Sequence, residues 1–143
     1  MNRIGPSWND RESVFVYGTL RPPQADTAEN DSRYYPQIAA HVQSAAPAQL
    51  LQGELYDLGA YPAARPGSDI IRGDLLVVEP EAMIIMDRIE GHPDFYQRDK
   101  AVVQTETKTV EAWIYWAPES LVSGRRRIGG GDWLRRKSNQ RST

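Results

Sequence analysis

The sequence predicts one α+β domain built around a small antiparallel or mixed β-barrel. Short apolar runs of β-forming residues recur between Gly/Pro-rich turns. One of these runs carries an interior glycine, a mark of strong sheet curvature or close backbone approach. A single segment shows helix signals from start to stop. This mostly-β pattern with one solid helix disfavours a parallel doubly wound sheet. The 143 residues suit one core and are too few for two domains of ordinary size. The expected division is a flexible N-terminus over 1–12, the domain over 13–133 and a basic flexible tail over 134–143.

Val14-Phe15-Val16-Tyr17 is a continuous apolar, β-branched and aromatic run, which predicts a central strand buried on both faces. Gly18, Pro22 and Pro23 force a loop after it, and the polar segment 24–33 is expected to be mobile. Tyr34 to Gln43 has helix-compatible spacing in Ile38, Ala39 and Val42, with Pro36 confined to a first turn. Gln49 to Leu58 alternates roughly with period two and predicts a second strand. Turns follow at Gly59-Ala60-Tyr61-Pro62 and Arg65-Pro66-Gly67-Ser68, then a strand over Ile70 to Val78 with Gly73 inside it.

Pro80 to Glu90 predicts a helix: Pro80 fits the first position, Glu81 complements the positive end, and Gly91 fits the stop. Met83, Met86 and Ile89, beside Ala82 and Ile85, form its apolar face. Two more strands are expected over Tyr96 to Glu106 and Thr109 to Trp116, the latter alternating through Ala112, Ile114 and Trp116. The expected core is Val14, Val16, Leu55, Leu75, Val77, Met86, Ile89 and Ile114.

Composition removes several functional classes. With 40% hydrophobic and 25% charged residues and a mean hydropathy of −0.60, the chain reads as a folded, soluble protein. No apolar run reaches the ~18 residues of a membrane span, so no membrane partner is expected. The N-terminus lacks the basic start and apolar stretch of a secretory signal. Zero cysteines exclude a disulfide framework, a thiolate zinc site and a cysteine nucleophile, and a cytoplasmic location is the expectation.

The net charge of −2 hides an asymmetry: from Arg125 onward there are seven basic residues and one acid, against ten basic and eighteen acidic before it. Such a tail can attract phosphates, but the expectation is a solvated and partly disordered C-terminus. No recognition helix or aromatic-studded basic sheet accompanies it, so no nucleic-acid partner is expected. Oligomeric state is not readable from the sequence.

Motif chemistry is mostly eliminated. There is no Gly-x-x-x-x-Gly-Lys, no dinucleotide fingerprint and no Gly-x-Ser-x-Gly elbow. Gly129-Gly130-Gly131 reads as a flexible joint. His41 and His92 lack metal-ligand spacing, so no metal and no cofactor are expected. His92 carries more interest because it adjoins Glu90 at a helix end.

Three segments remain. Val16 to Arg21 runs from a buried strand straight into a glycine loop, whose exposed amides can hold a carboxylate or polarise a carbonyl; taken alone it reads better as an ordinary strand-to-loop turn. Gly53 to Pro62 is dense in aromatics, Gly and Pro, which packing and turns alone could explain. Met86 to Gly91 places Glu90 at the carboxyl end of the helix, where the dipole disfavours negative charge, three residues from Asp87. Both effects predict a raised pKa and a carboxyl suited to moving protons near neutrality, against the plain alternative of a solvated acid at a fraying end.

At all three segments the sequence resembles the gamma-glutamylcyclotransferase-like family. Tyr17-Gly18-Thr19-Leu20-Arg21 is similar to its Tyr-Gly-Ser/Thr-Leu loop, and Gly53 to Ala63 to its Gly-x-Leu-Tyr-Asp-Leu-Gly-x-Tyr-Pro-Ala segment. Asp87 to Arg98 is similar to its Asp-x-x-Glu-Gly…Tyr-x-Arg segment, and Gly131-Asp132-Trp133 to a Gly-Asp-Trp ending of many bacterial members. The likeness runs from about Val14 to Trp133, and the segment 24–31 matches no motif.

The resemblance implies a compact barrel with flanking helices and a cavity at its mouth. It further implies an enzyme that cyclises a gamma-glutamyl group to 5-oxoproline and expels the attached amine. Carried over, the loop Tyr17, Gly18, Thr19 and Leu20 would hold the glutamyl part, Glu90 would be the acid/base, and Tyr96 and Tyr115 would line the pocket. The nucleophile would be the substrate's own α-amine, which accounts for the lack of a Ser, Cys or metal constellation. Two other classes are compatible with the residues: a non-catalytic small-molecule binding or interaction module on the same barrel, and, on the basic tail alone, a small nucleic-acid-binding barrel whose affinity would fall steeply with salt.

Overall fold

The computed structural model describes residues 11–24 and 32–136. Its strands are β1 (Glu12–Val16), β2 (Val42–Asp57), β3 (Pro62–Pro66), β4 (Asp69–Val78), β5 (Gln97–Thr105), β6 (Thr109–Trp116) and β7 (Arg126–Arg127). Five close on themselves in the order β2-β4-β1-β6-β5, because β5 returns to β2 through the pairs Ala48–Thr105, Gln49–Gln104 and Leu50–Val103. Neighbours in the ring are antiparallel except β1 and β6, which are parallel. Closure leaves this ring without unpaired edges. β3 and β7 lengthen the sheet along β2, and helices α1 (Pro80–Glu90) and α2 (Glu119–Val122) flank it. The small mixed barrel expected from the sequence is therefore what the chain forms.

β1 shows why its sequence has no polar position in the middle. Val14 and Val16 enter an apolar layer shared with Leu76, Val78, Met83 and Met86, the last two from α1. Phe15, between them, enters a second layer with Leu50, Leu75, Val103 and Ile114, all from strands. Successive side chains of a strand point to opposite faces, so a strand covered on both must be apolar throughout. Gly73 sits beside it on β4, and a Cβ there would collide with the Val16 carbonyl oxygen. The glycine marks close backbone approach, and the register irregularities lie instead on β2, at Val42/Ser44 and Leu50/Gly53.

α1 runs from Pro80 to Glu90 and is capped by Gly91 in the left-handed region, with φ of 73°. Ala82, Met83 and Met86 are its buried residues. Ile89 is only partly buried because it lines a cavity. Val77 is also partly exposed, its cross-strand partners Ser13 and Ser44 being too small to cover it. The other six expected core residues are buried.

Other expectations need correction. The helix over Tyr34 to Gln43 is two 3-10 turns, Tyr35–Gln37 and Ala39–His41, with Pro36 restricting the first. β2 begins at Val42, seven residues before Gln49, and runs through Ser44-Ala45-Ala46-Pro47, a stretch without the β-branched residues that mark a strand. Pro62–Pro66, read as joining two turns, is a strand because it pairs with Gly53–Asp57 of β2. The N-terminal boundary shifts: Glu12 is already in β1, and its carboxylate accepts a hydrogen bond from Trp113 Nε1 at 3.0 Å.

At the other end, order continues past Trp133. Leu134 is buried, Arg135 pairs with Asp132 at 2.9 Å, and the Arg136 guanidinium lies 3.4 Å from the centre of the Trp133 ring. The expected flexibility of 1–10, of 25–31 and of 137–143 falls outside the described residues.

Candidate active site

A cavity of about 380 Å³ opens where the loop after β1 meets the β2–β3 turn, the end of α1 and the adjoining ends of β5 and β6. It is lined by Tyr17, Gly18, Thr19, Leu20, Glu90, Tyr96 and Tyr115, so every site residue expected from the sequence faces one space. Phe15, Val16, Tyr34, Tyr61, Pro62, Ile89 and Phe95 complete the wall. Strand β1 delivers the loop, and the last turn of α1 delivers Glu90.

Glu90 is the cavity's acid. Among the described residues no cation pairs with it, and burial pushes its carboxyl up to about 7. The cause differs from the expected one. Desolvation raises the pKa, whereas the neighbouring Asp87 is turned away and neutralised by other partners. Arg98 donates to Asp87 twice, Nε to Oδ1 at 2.7 Å and Nη2 to Oδ2 at 3.2 Å, and Tyr115 Oη donates to Oδ1 at 2.6 Å. Burial would raise the Asp87 pKa, but these bonds outweigh it and hold the carboxyl below its ordinary value. Two acids three residues apart on one helix thus have opposite states near neutrality: Asp87 charged and structural, Glu90 poised between forms.

The three floor tyrosines are framed in the same way. Tyr17 Oη donates to the Tyr115 carbonyl at 2.6 Å, Tyr96 Oη to the Pro62 carbonyl at 3.0 Å, and Tyr115 Oη to Asp87. Each hydroxyl proton is committed inside the protein, and burial raises all three phenol pKa values well above normal. These side chains can offer a ligand ring surface and a lone pair, but no proton. Hydrogen-bond donors for a carboxylate or an oxyanion must come from elsewhere.

The loop after β1 carries backbone amides that are not committed in this way. Arg21 N–H closes a turn on the Gly18 carbonyl at 3.0 Å, and Tyr34 N–H donates to the Thr19 carbonyl at 3.1 Å. The amides of Gly18, Thr19 and Leu20 have no acceptor among the described residues. A side chain at Gly18 would meet Pro62 Cγ at 2.6 Å, so the loop lies tight against the β2–β3 turn. Behind it, buried Arg21 donates from Nε to Asp74 at 2.7 Å and from Nη1 to Asp132 at 3.2 Å. This tie explains Gly131-Asp132-Trp133: Asp132 anchors the loop while Trp133 fills the barrel layer.

Arg98 carries structural weight that sequence reasoning did not assign, although it stands in the Tyr-x-Arg segment; it also stacks over Trp113 at 4.3 Å. His92, which adjoins Glu90 in sequence, is not part of the wall; its Nδ1 accepts the Arg98 N–H at 3.2 Å. Among the described residues one grouping has metal-ligand spacing, His41, Glu79 and Glu81, with ligand atoms within 4.8 Å of one another. It lies away from the cavity lining, and His41 Nδ1 is already hydrogen-bonded to Glu79 at 3.0 Å. No described helix is long and apolar enough to cross a membrane.

Fold and cavity together define a small closed mixed barrel whose mouth holds a glycine loop and an acid, Glu90, that has no cation partner among the described residues. Residues 14–135 match the family model described as gamma-glutamyl cyclotransferase, AIG2-like, and the chain belongs to that family. A Vibrio cholerae protein provisionally named a gamma-glutamylcyclotransferase is 32% identical over 124 residues, covering 86% of this chain and 96% of that one. The Escherichia coli gamma-glutamylcyclotransferase family protein YtfP is 27% identical over 123 residues with the same coverage. Among solved structures, Bacillus subtilis YkqA superposes with a TM-score of 0.68 at 20% identity, covering 93% of this chain and 43% of YkqA, so this chain spans under half of that protein. A mouse AIG2-like protein gives 0.59 at 22% identity, covering 75% and 77%. These structural likenesses establish the shared fold.

Proposed function

We propose that this protein is a gamma-glutamylcyclotransferase that converts a gamma-glutamyl amine or peptide into 5-oxoproline and the free amine, with Glu90 as acid and base. The observation that carries the reading is a carboxyl pushed up to about 7 on the wall of the same cavity as the Gly18–Leu20 loop, with neither that carboxyl paired to a cation nor the three loop amides to an acceptor among the described residues.

The substrate's α-ammonium first gives one proton to solvent, and the neutral amine attacks the γ-carbonyl carbon, closing the ring. The carbonyl oxygen gains charge, which the amides of the Gly18–Leu20 loop are suited to stabilise. Glu90 as carboxylate takes the second proton from the attacking nitrogen. As carboxylic acid it returns that proton to the departing nitrogen while the old C–N bond breaks. The amine leaves neutral and is protonated in solution, so charge and protons balance. An acid with a pKa near the working pH serves both steps, and intramolecular attack already has a high effective concentration.

The test is a panel of gamma-glutamyl peptides and amines incubated with the full chain, with 5-oxoproline measured by mass spectrometry. Formation of 5-oxoproline with stoichiometric amine supports the reading. Saturable binding without product would instead assign a binding module on the same barrel.

A further inference from the structure

We propose that Tyr34, Tyr61 and Phe95 form a leaving-group subsite at the cavity mouth, and that it takes an amine bearing an aryl tail and no carboxylate. The proposal rests on the cyclotransferase reading above and specifies its substrate.

The aromatic lining falls into two sets. Tyr17, Tyr96 and Tyr115 are 7%, 3% and 2% exposed and make the floor, whereas Tyr34, Tyr61 and Phe95 are 38%, 38% and 41% exposed and stand at the opening. Three large rings left in water around one opening are a surface that gains by being covered.

They are also fixed relative to the reacting groups. Tyr34 N–H is bound to the Thr19 carbonyl of the loop at 3.1 Å, and Phe95 N–H to the Gly91 carbonyl just after Glu90 at 2.7 Å. The Phe95 ring meets Tyr96 edge-on at 5.0 Å. Tyr61 precedes Pro62, whose ring abuts Gly18 and whose carbonyl holds Tyr96 Oη. Three separate segments thus bring these residues to one opening.

The glutamyl part has to fold between the loop amides and Glu90 for its amine to reach its own γ-carbonyl. The group beyond the scissile bond then points to the mouth, where it meets ring surface. Among the described residues lining the cavity there is no Lys, Arg or His. Among the described lining residues a departing amino acid would meet no cation for its carboxylate and would face the ionised form of Glu90; Arg33, next to Tyr34, lies outside the lining and donates from Nη2 to the Ala60 carbonyl at 2.6 Å. An aryl amine would instead gain edge and face contacts with the three rings.

The test compares kcat/KM for γ-L-glutamyl-phenethylamide, γ-L-glutamyl-L-phenylalanine and γ-L-glutamyl-methylamide. The first two differ by a carboxylate, and the first and third by the aryl tail. Phenethylamide is expected to exceed each of the others by about tenfold or more. In the Y34A/Y61A/F95A variant, with folding checked by thermal melting, the phenethylamide-to-methylamide ratio is expected to fall toward one. Equal or better turnover of the phenylalanine compound, or a ratio unmoved in the variant, overturns the subsite while leaving the cyclotransferase reading intact. If none of the three yields 5-oxoproline while another gamma-glutamyl compound of the panel does, the subsite alone is overturned; if no gamma-glutamyl compound reacts, the reading fails and the subsite with it.

Discussion

Arg98 clamps Asp87 from β5 onto α1 through two hydrogen bonds, at 2.7 and 3.2 Å, one helical turn before Glu90. Arg98 and Tyr115 are direct cross-strand partners of β5 and β6, and both converge on the same carboxylate. The end of the helix that carries Glu90 is thereby tied to the wall of the cavity. Asp87 is a positioning residue, and its charge serves packing.

Replacing Asp87 by Asn should loosen that clamp. The group is partly exposed, so we expect a loss of about 1–2 kcal/mol in urea unfolding at pH 7, together with a fall in kcat as Glu90 and Tyr115 lose their frame. The sign of the pH effect follows from a lowered folded pKa: the contribution is fully present above the ordinary value of 3.8 and is lost as pH drops through the lower folded value. Wild type and variant should therefore converge only in strong acid. A variant equal to wild type in both midpoint and rate at pH 7 would remove the positioning role.

Arg21 lies buried between two acids, Asp74 and Asp132. Arg21→Met leaves both carboxyls without their shared cation and should cost about 3–5 kcal/mol, read as a shift of the denaturation midpoint. Because the same arginine carries the loop, melting in the presence of a gamma-glutamyl ligand should show weaker ligand stabilisation as well. Unchanged stability would mean that the triad is not the anchor described.

Gly18 abuts Pro62, and even Ala would bring a Cβ within 2.6 Å of the ring. Gly18→Ala should destabilise by about 1–3 kcal/mol through overpacking, and Gly18→Val by more, with ligand binding lost in both because the loop and the β2–β3 turn shift together. Retained binding affinity in a folded Gly18→Val protein, measured by calorimetry, would separate the loop from the site.

Much of this arrangement was readable beforehand where one segment contained its own signals. α1 was delimited by Pro80 and Gly91, and β6 by its alternation, and both have the bounds expected from the sequence. β1 was readable as doubly buried from its unbroken apolar run. What a linear pattern cannot carry is partnership across the fold. Asp87 was visible as a neighbour of Glu90 at i, i+3, but Arg98 and Tyr115 arrive from other strands and reverse its role. β3 owes its existence to pairing with β2 and not to propensity. Tyr34, Tyr61 and Phe95 come from three connections whose convergence only the closed barrel creates. The basic residues after Trp133 looked solvated because their partners, Asp132 and the Trp133 ring, require the 3-10 turn at Trp133–Arg135.

Glu90 should also report its burial through stability. Its folded pKa of about 7 is raised above the ordinary 4.5, so between these values the unfolded chain releases a proton that the folded protein keeps. Wild-type stability should fall as pH rises through that window, by up to about 1.4 kcal/mol per unit, and level off above it. Glu90→Gln has no such loss and should be the more stable protein at pH 8, by on the order of 1–3 kcal/mol, while the two are similar near pH 4.5. Parallel stability curves from pH 4.5 to 8 would contradict the raised pKa.

The most direct test of the account is the rate of 5-oxoproline formation by Glu90→Gln against wild type at pH 7, with the same gamma-glutamyl substrate. Gln keeps the size of the side chain and removes its titration. The account predicts a fall in kcat of ~10²-fold or more with KM little changed, and a wild-type rate profile whose inflection near neutrality disappears in the variant. A Glu90→Gln enzyme that forms 5-oxoproline as fast as wild type would contradict the assignment of Glu90 as the group that moves the proton.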